Sequence, residues 1–182
     1  MDPERLSRLV NLGYEAPIHA GVAAPGLDDH PREKEAWRLF AEEAARVFGC
    51  QLAMVEYSDA TSPERNFIVA GGLEGFEEVF TSARARREED NYLNTMWQRP
   101  AGAVQLGTEI VAPDQMHRSR SYSALAMPWR LEHFLTGTIM TGNGGGAFFS
   151  LGRAAREAPF VEGDKAAIGS LVLSHLTRSM TT

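Results

Sequence analysis

The chain has 182 residues, 43% apolar and 23% charged, with a net charge of −6 and a pI near 5.4. That length sets a single domain as the expectation, and the apolar share supports a core, which excludes a disordered chain. The acidic balance excludes a nucleic-acid surface within this chain, because phosphate binding needs a basic patch.

No apolar run reaches the ~18 residues of a membrane helix. The opening MDPERLSRLV has neither the apolar stretch nor the cleavage site of a signal peptide. Cys50 is the only cysteine, so no internal disulfide framework and no Cys-based zinc site can form. The expectation is a soluble, cytoplasmic protein without membrane association.

Pro3 to Tyr14 carries Leu6, Leu9 and Val10 at helical spacing. Pro17 to Pro31 holds three prolines and two glycines and reads as irregular. Pro31 then fits the first position of a helix. Trp37, Phe40, Ala41, Ala44, Val47 and Phe48 share one face of it, and Gly49 ends it. Gln51 to Tyr57 is apolar at both alternating positions, the mark of a central strand covered on both sides. Asn66 to Ala70 reads as its antiparallel partner, after a turn around Ser62-Pro63.

Leu73 to about Met96 is predicted helical, with a solvated charge run from Arg84 to Asp90. Val104 to Val111 reads as a strand, and Asp114 as the cap of a helix reaching Ala126. His133–Thr141 and Ala147–Leu151 flank Gly142-Asn143-Gly144-Gly145-Gly146 and form the clearest hairpin. Gly142, Gly144 and Ala147 match a G-x-G-x-x-A loop, but strand-like residues follow where that loop must open a helix, so a turn is the better reading. Asp164 to Met180 is an amphipathic final helix. Ile168, Leu171, Val172, His175 and Leu176 lie on its apolar face, and Leu173 lies off it. The order gives an α+β fold with a central antiparallel sheet, helices on both faces, and the first and last helices packed together.

Phe67, Tyr92, Trp97, Tyr122 and Trp129, with Met54 and Met140, come from segments expected to converge on one sheet face. They are candidates to line a small-molecule cavity, and equally serve as core. Glu56 either pairs with an arginine or orients a ligand, or ends its strand in solvent. His117, Arg118 and Arg120 form a basic cluster that fits an anionic ligand group or a solvated helix face. The histidines are too scattered for a metal site, no cofactor motif occurs, and Cys50 has no neighbour in sequence to activate it. No catalytic set is visible, so an enzyme is not expected.

Arg118-Ser-Arg-Ser-Tyr122, Met127-Pro128-Trp129, Arg153, Pro159-Phe160, Asp164 and His175-Leu176 occur in an order that resembles the N-terminal GAF/PAS-like sensor domain of LuxR-type transcriptional regulators. Two departures stand out. Thr95-Met96-Trp97 replaces the family's Asp-Pro-Trp, and Val161 stands where Ser or Thr commonly caps the last helix, at a cost on the order of 1 kcal/mol.

The resemblance implies one sensor domain over residues 1–182, with residues 1–30 as helix and irregular lead-in and 31–182 as core. It implies a small apolar or aromatic ligand and a homodimer through Leu6, Leu9, Leu173 and Leu176. Contact with DNA would come only through a helix-turn-helix domain not present in this chain. A ligand-free dimerisation module and a stand-alone sensor are the alternatives.

Overall fold

A computed structural model of the chain describes residues 3–15, 31–59, 61–63, 66–84, 98–142 and 145–181. Helices α1 (Pro3–Glu15) and α2 (Pro31–Val47) come first. Trp37, Phe40, Ala41 and Ala44 of α2 recur at i, i+3, i+4 and i+7 and are completely buried. Gly49 stops the helix at φ +56°, a left-handed turn that glycine takes without steric cost.

Strand β1 (Leu52–Asp59) is buried over its first seven residues, as a central strand must be, and β2 (Phe67–Gly71) pairs antiparallel to it. Helix α3 (Phe76–Arg84) follows, then β3 (Val104–Leu106), α4 (Gly107–Ile110) and α5 (Pro113–Arg118). A π turn (Tyr122–Ala126) and a 3-10 turn (Met127–Trp129) lead into the hairpin of β4 (Leu131–Gly142) and β5 (Gly145–Ala154). The final helix runs as α6 (Glu162–Ala167), a π-helical stretch (Ile168–Leu173) and α7 (Ser174–Thr181).

The five strands form one sheet in the order β2-β1-β5-β4-β3, antiparallel at every pair. One face packs on α1, α2 and the final helix around Leu9, Phe40, Phe149, Ile168 and Leu176. The terminal helices meet at Gly13, where a Cβ would lie at ordinary contact distance, 3.4 Å, from Leu176 and from Phe40. The other face carries Leu52, Met54 and Ile68 beneath Phe76, Phe80 and Ala126. The expected α+β sheet with helices on both faces is therefore present.

Several local expectations are corrected. Val104–Val111 is strand only to Leu106. The Glu109 carboxylate then accepts the Leu106 N–H at 2.8 Å and starts a helical turn. Asp114 is not a cap, because Pro113 opens α5 and Ala112 holds the cap position.

The helix read to Ala126 breaks at Ser119, which is extended (ψ 150°) and whose hydroxyl accepts the Tyr122 N–H at 3.0 Å. In the final helix the π-helical turn shifts the apolar register: Leu173 is 1% exposed and Leu171 is 38% exposed, the reverse of the helical reading. Leu9, Leu173 and Leu176 are buried within this one chain, so they are core and not a contact between copies. The Arg84–Asp90 run and Asn143-Gly144 fall largely or wholly outside the described residues.

Candidate functional site

Residues directly opposed in a sheet share a face. Gln105, Thr136, Ser150, Met54 and Ala70 therefore make one row, and Thr138, Phe148, Glu56 and Ile68 the next. This face carries short polar side chains among its apolar ones. Thr136, Thr138, Ser150, Ser58 and Glu56 are all buried here. The Thr136 and Ser150 hydroxyls are 3.2 Å apart and share a hydrogen bond, and Ser58 Oγ donates to Glu56 Oε1 at 3.0 Å. A buried polar group is costly unless bonded, so a buried hydroxyl floor marks a face whose neighbours are not all apolar side chains.

Above part of this floor lies a cavity of about 70 Å3. Leu52 and Met54 from β1, Thr136 from β4 and Ser150 from β5 form its base. Phe76 and Phe80 of α3 close one side. Met116 of α5, with Ser121 and with Tyr122, Leu125 and Ala126 of the π turn, closes the other.

The π turn is pinned at its outer edge. Tyr122 Oη donates to Glu132 Oε2 at 2.8 Å, and His117 Nε2 lies 2.6 Å from Glu132 Oε1. The two rings meet at 4.7 Å between centroids. Partial burial and the Glu132 carboxylate both push the Tyr122 phenol up, keeping it a donor at neutral pH.

The predicted site residues divide. Met54 and Tyr122 line the cavity. Trp129 stands beside it, packing on Phe76 with ring centroids 5.2 Å apart. Glu56 shares the cavity face one row away and is fully buried, which removes the reading of a strand end in solvent.

Phe67 and Met140 do not join them. Phe67 opposes Tyr57 and stacks on it at 6.0 Å on the helix-packed face. A register shift between Thr138 and Met140 turns Met140 to that same face. Tyr92 and Trp97 lie outside the described residues. The reading missed Phe76, Phe80, Ala126, Thr136 and Ser150. The signal was there for the last two, as hydroxyls at alternate positions of an otherwise apolar hairpin.

Nucleophilic chemistry finds no foothold at Cys50. Burial pushes its thiol up to about 12, so it stays protonated at neutral pH. Among the described residues no group of three or more His, Cys, Asp or Glu could hold a metal ion, and no helix is long and apolar enough to cross a membrane.

No protein-family model and no curated protein matches this sequence. Solved structures do match. The VqsR ligand-binding domain from Pseudomonas aeruginosa superposes with a TM-score of 0.64 at 10% identity, covering 97% of this chain and 94% of that one. The N-acylhomoserine lactone dependent LuxR family transcription factor CepR2 from Burkholderia cenocepacia gives 0.60 at 11% identity, covering 97% and 91%. SdiA in complex with octanoyl-rac-glycerol gives 0.57 at 15% identity, covering 97% of this chain and 62% of that one. The chain thus has the fold of the ligand-binding domains of LuxR-type transcriptional regulators.

Proposed function

We propose that this chain is the ligand-sensing domain of a LuxR-type transcriptional regulator, acting in the cytoplasm without catalysing a reaction. One observation carries the reading: an apolar roof of Phe76, Phe80 and Leu125 closes over the hydroxyls of Thr136 and Ser150. That pairing suits a small molecule with an apolar body and a polar end. Met54 and Tyr122 supply contact walls, and Trp129 supports them from the side. In the complete regulator a homodimer relays occupancy to a helix-turn-helix, through which alone DNA is bound.

The size of the cavity favours a second reading. Ordinary small-molecule sites span about 300–1,000 Å3, and this hollow holds about 70 Å3. A dimerisation module filled by its own side chains has that character.

Thermal unfolding with octanoyl-homoserine lactone and with octanoyl-glycerol separates the two. A ligand at a hundred times its Kd adds about 2.7 kcal/mol, which raises Tm by roughly 5–10 °C for a domain of this size. A saturable rise supports the sensor. An unchanged Tm with both compounds and with pooled metabolites supports the filled module.

A further inference from the structure

A second hollow opens at the β2 edge of the sheet and shares no lining residue with the cavity described above. It is an open groove of about 1000 Å3. The second half of α2 forms one wall, and the turn from β2 into α3 forms the other. Trp129 of the 3-10 turn also lines it, packed on Phe76.

The two walls differ in charge. On α2, Arg38 is held by Glu35 and Glu42, and Arg46 by Glu42 and Glu43. These guanidiniums are already matched and leave little field for an anion. The facing wall carries Glu74, Glu77 and Glu78 and no base. Glu77 Oε1 accepts the Ala70 N–H at 2.8 Å and so occupies an outward donor of the edge strand. An added strand would need that donor, so sheet extension is disfavoured there. Glu74 and Glu78 are exposed, and neither carboxylate has an ion pair among the described residues. Gln51 Oε1, just before β1, is buried and has no hydrogen-bond partner. A buried acceptor left unmatched is costly. What the groove lacks is donors and positive charge.

We propose that this groove docks an arginine- or lysine-bearing segment of a partner protein. Its cationic side chains pair with Glu74 and Glu78, and one of its donors satisfies Gln51. Trp129 offers an aromatic ring to a guanidinium or ammonium group. The size and openness of the groove favour a peptide chain over a small cation, because small-molecule sites enclose most of their ligand. The net charge of −6 on the whole chain draws the same kind of partner from a distance. The inference is independent of the sensor reading.

The test is titration of the isotope-labelled protein with hexa-arginine amide, read by backbone amide shifts. Shifts should centre on residues 70–78 and Gln51, and affinity should fall as salt is raised. Glu74→Gln combined with Glu78→Gln should weaken binding roughly tenfold, the scale of two exposed ion pairs. Both side chains are exposed, so the fold tolerates the change. Glu4→Gln combined with Asp114→Asn removes two charges outside the groove and should leave affinity within about twofold. Equal losses in the two double variants would reduce the binding to general charge attraction and overturn the docking site. Shifts spread over the whole acidic surface would do the same, as would argininamide binding as tightly as the peptide. Absence of any binding by the peptide also overturns it.

Discussion

Leu173 of the final helix sits over the bare Cα of Gly137 in β4: a Cβ there would come within 2.8 Å of its side chain. The next residue toward the N-terminus, Thr136, faces the cavity. Adjacent residues of one strand thus address the two layers. Gly137→Ala is expected to cost about 1–3 kcal/mol, the range for overpacking a core. Urea unfolding checks this. In a Leu173→Ala background the same change should cost far less, because the clash is gone. Equal costs in the two backgrounds would mean that the contact does not carry the strain.

The layout of the fold was legible because its signals are periodic: the helical stripe of Trp37 to Phe48, the doubly apolar Leu52–Tyr57 and the glycine-centred hairpin. What escaped was every place where one residue breaks the period. The π-helical turn at Ile168–Leu173 exchanges Leu171 for Leu173. The shift after Thr138 removes Met140 from the cavity face. Both depend on which packing wins in three dimensions, and no spacing within one segment records that. The cavity itself joins residues 52 to 151, and its polar floor arises from a cross-strand pair, Thr136 and Ser150, fixed only once the hairpin register is set.

Arg153 holds three segments together. Its Nη2 donates to the Phe48 carbonyl at 2.7 Å, just past the end of α2, and its Nη1 donates to the Ala158 and Pro159 carbonyls at 3.2 and 3.3 Å. The guanidinium also lies 4.0 Å from the centre of the Phe160 ring, with Asp164 at 3.6 Å. A lysine keeps the charge but not the planar fork. Arg153→Lys should therefore lower stability by about 2 kcal/mol, the value of a charge-assisted bond or two, and Arg153→Met by more. Chemical denaturation measures both. A lysine variant as stable as the parent would show that charge alone suffices.

Alkaline pH should weaken the fold through Cys50. Its folded thiol titrates near 12, because burial disfavours the thiolate, whereas an unfolded thiol titrates near ~8.5. Between these values the unfolded chain has released a proton that the folded chain keeps, so stability falls as pH rises. The slope approaches about 1.4 kcal/mol per pH unit, and the contribution is complete below the unfolded value. Comparing Cys50→Ala with the parent from pH 8 to 11 isolates this term, and the variant should show the flatter profile. Native Cys50 should also resist iodoacetamide at pH 8 until the chain is unfolded. Rapid alkylation of the native protein would contradict the half-buried, protonated thiol.

The Thr136–Ser150 pair separates stability from recognition. Each hydroxyl satisfies the other in a buried setting. Removing one leaves its partner without that bond, at about 1–3 kcal/mol, while removing both leaves apolar surface and costs little. Thr136→Val alone should therefore destabilise more than Thr136→Val combined with Ser150→Ala, an inversion that plain loss of packing does not produce. A ligand whose polar end uses this floor loses affinity in both variants, by roughly tenfold for one hydrogen bond. Denaturation and titration on the same preparations read the two effects separately. If the double variant regains stability and keeps full affinity, the polar end of the ligand lies elsewhere on the cavity wall.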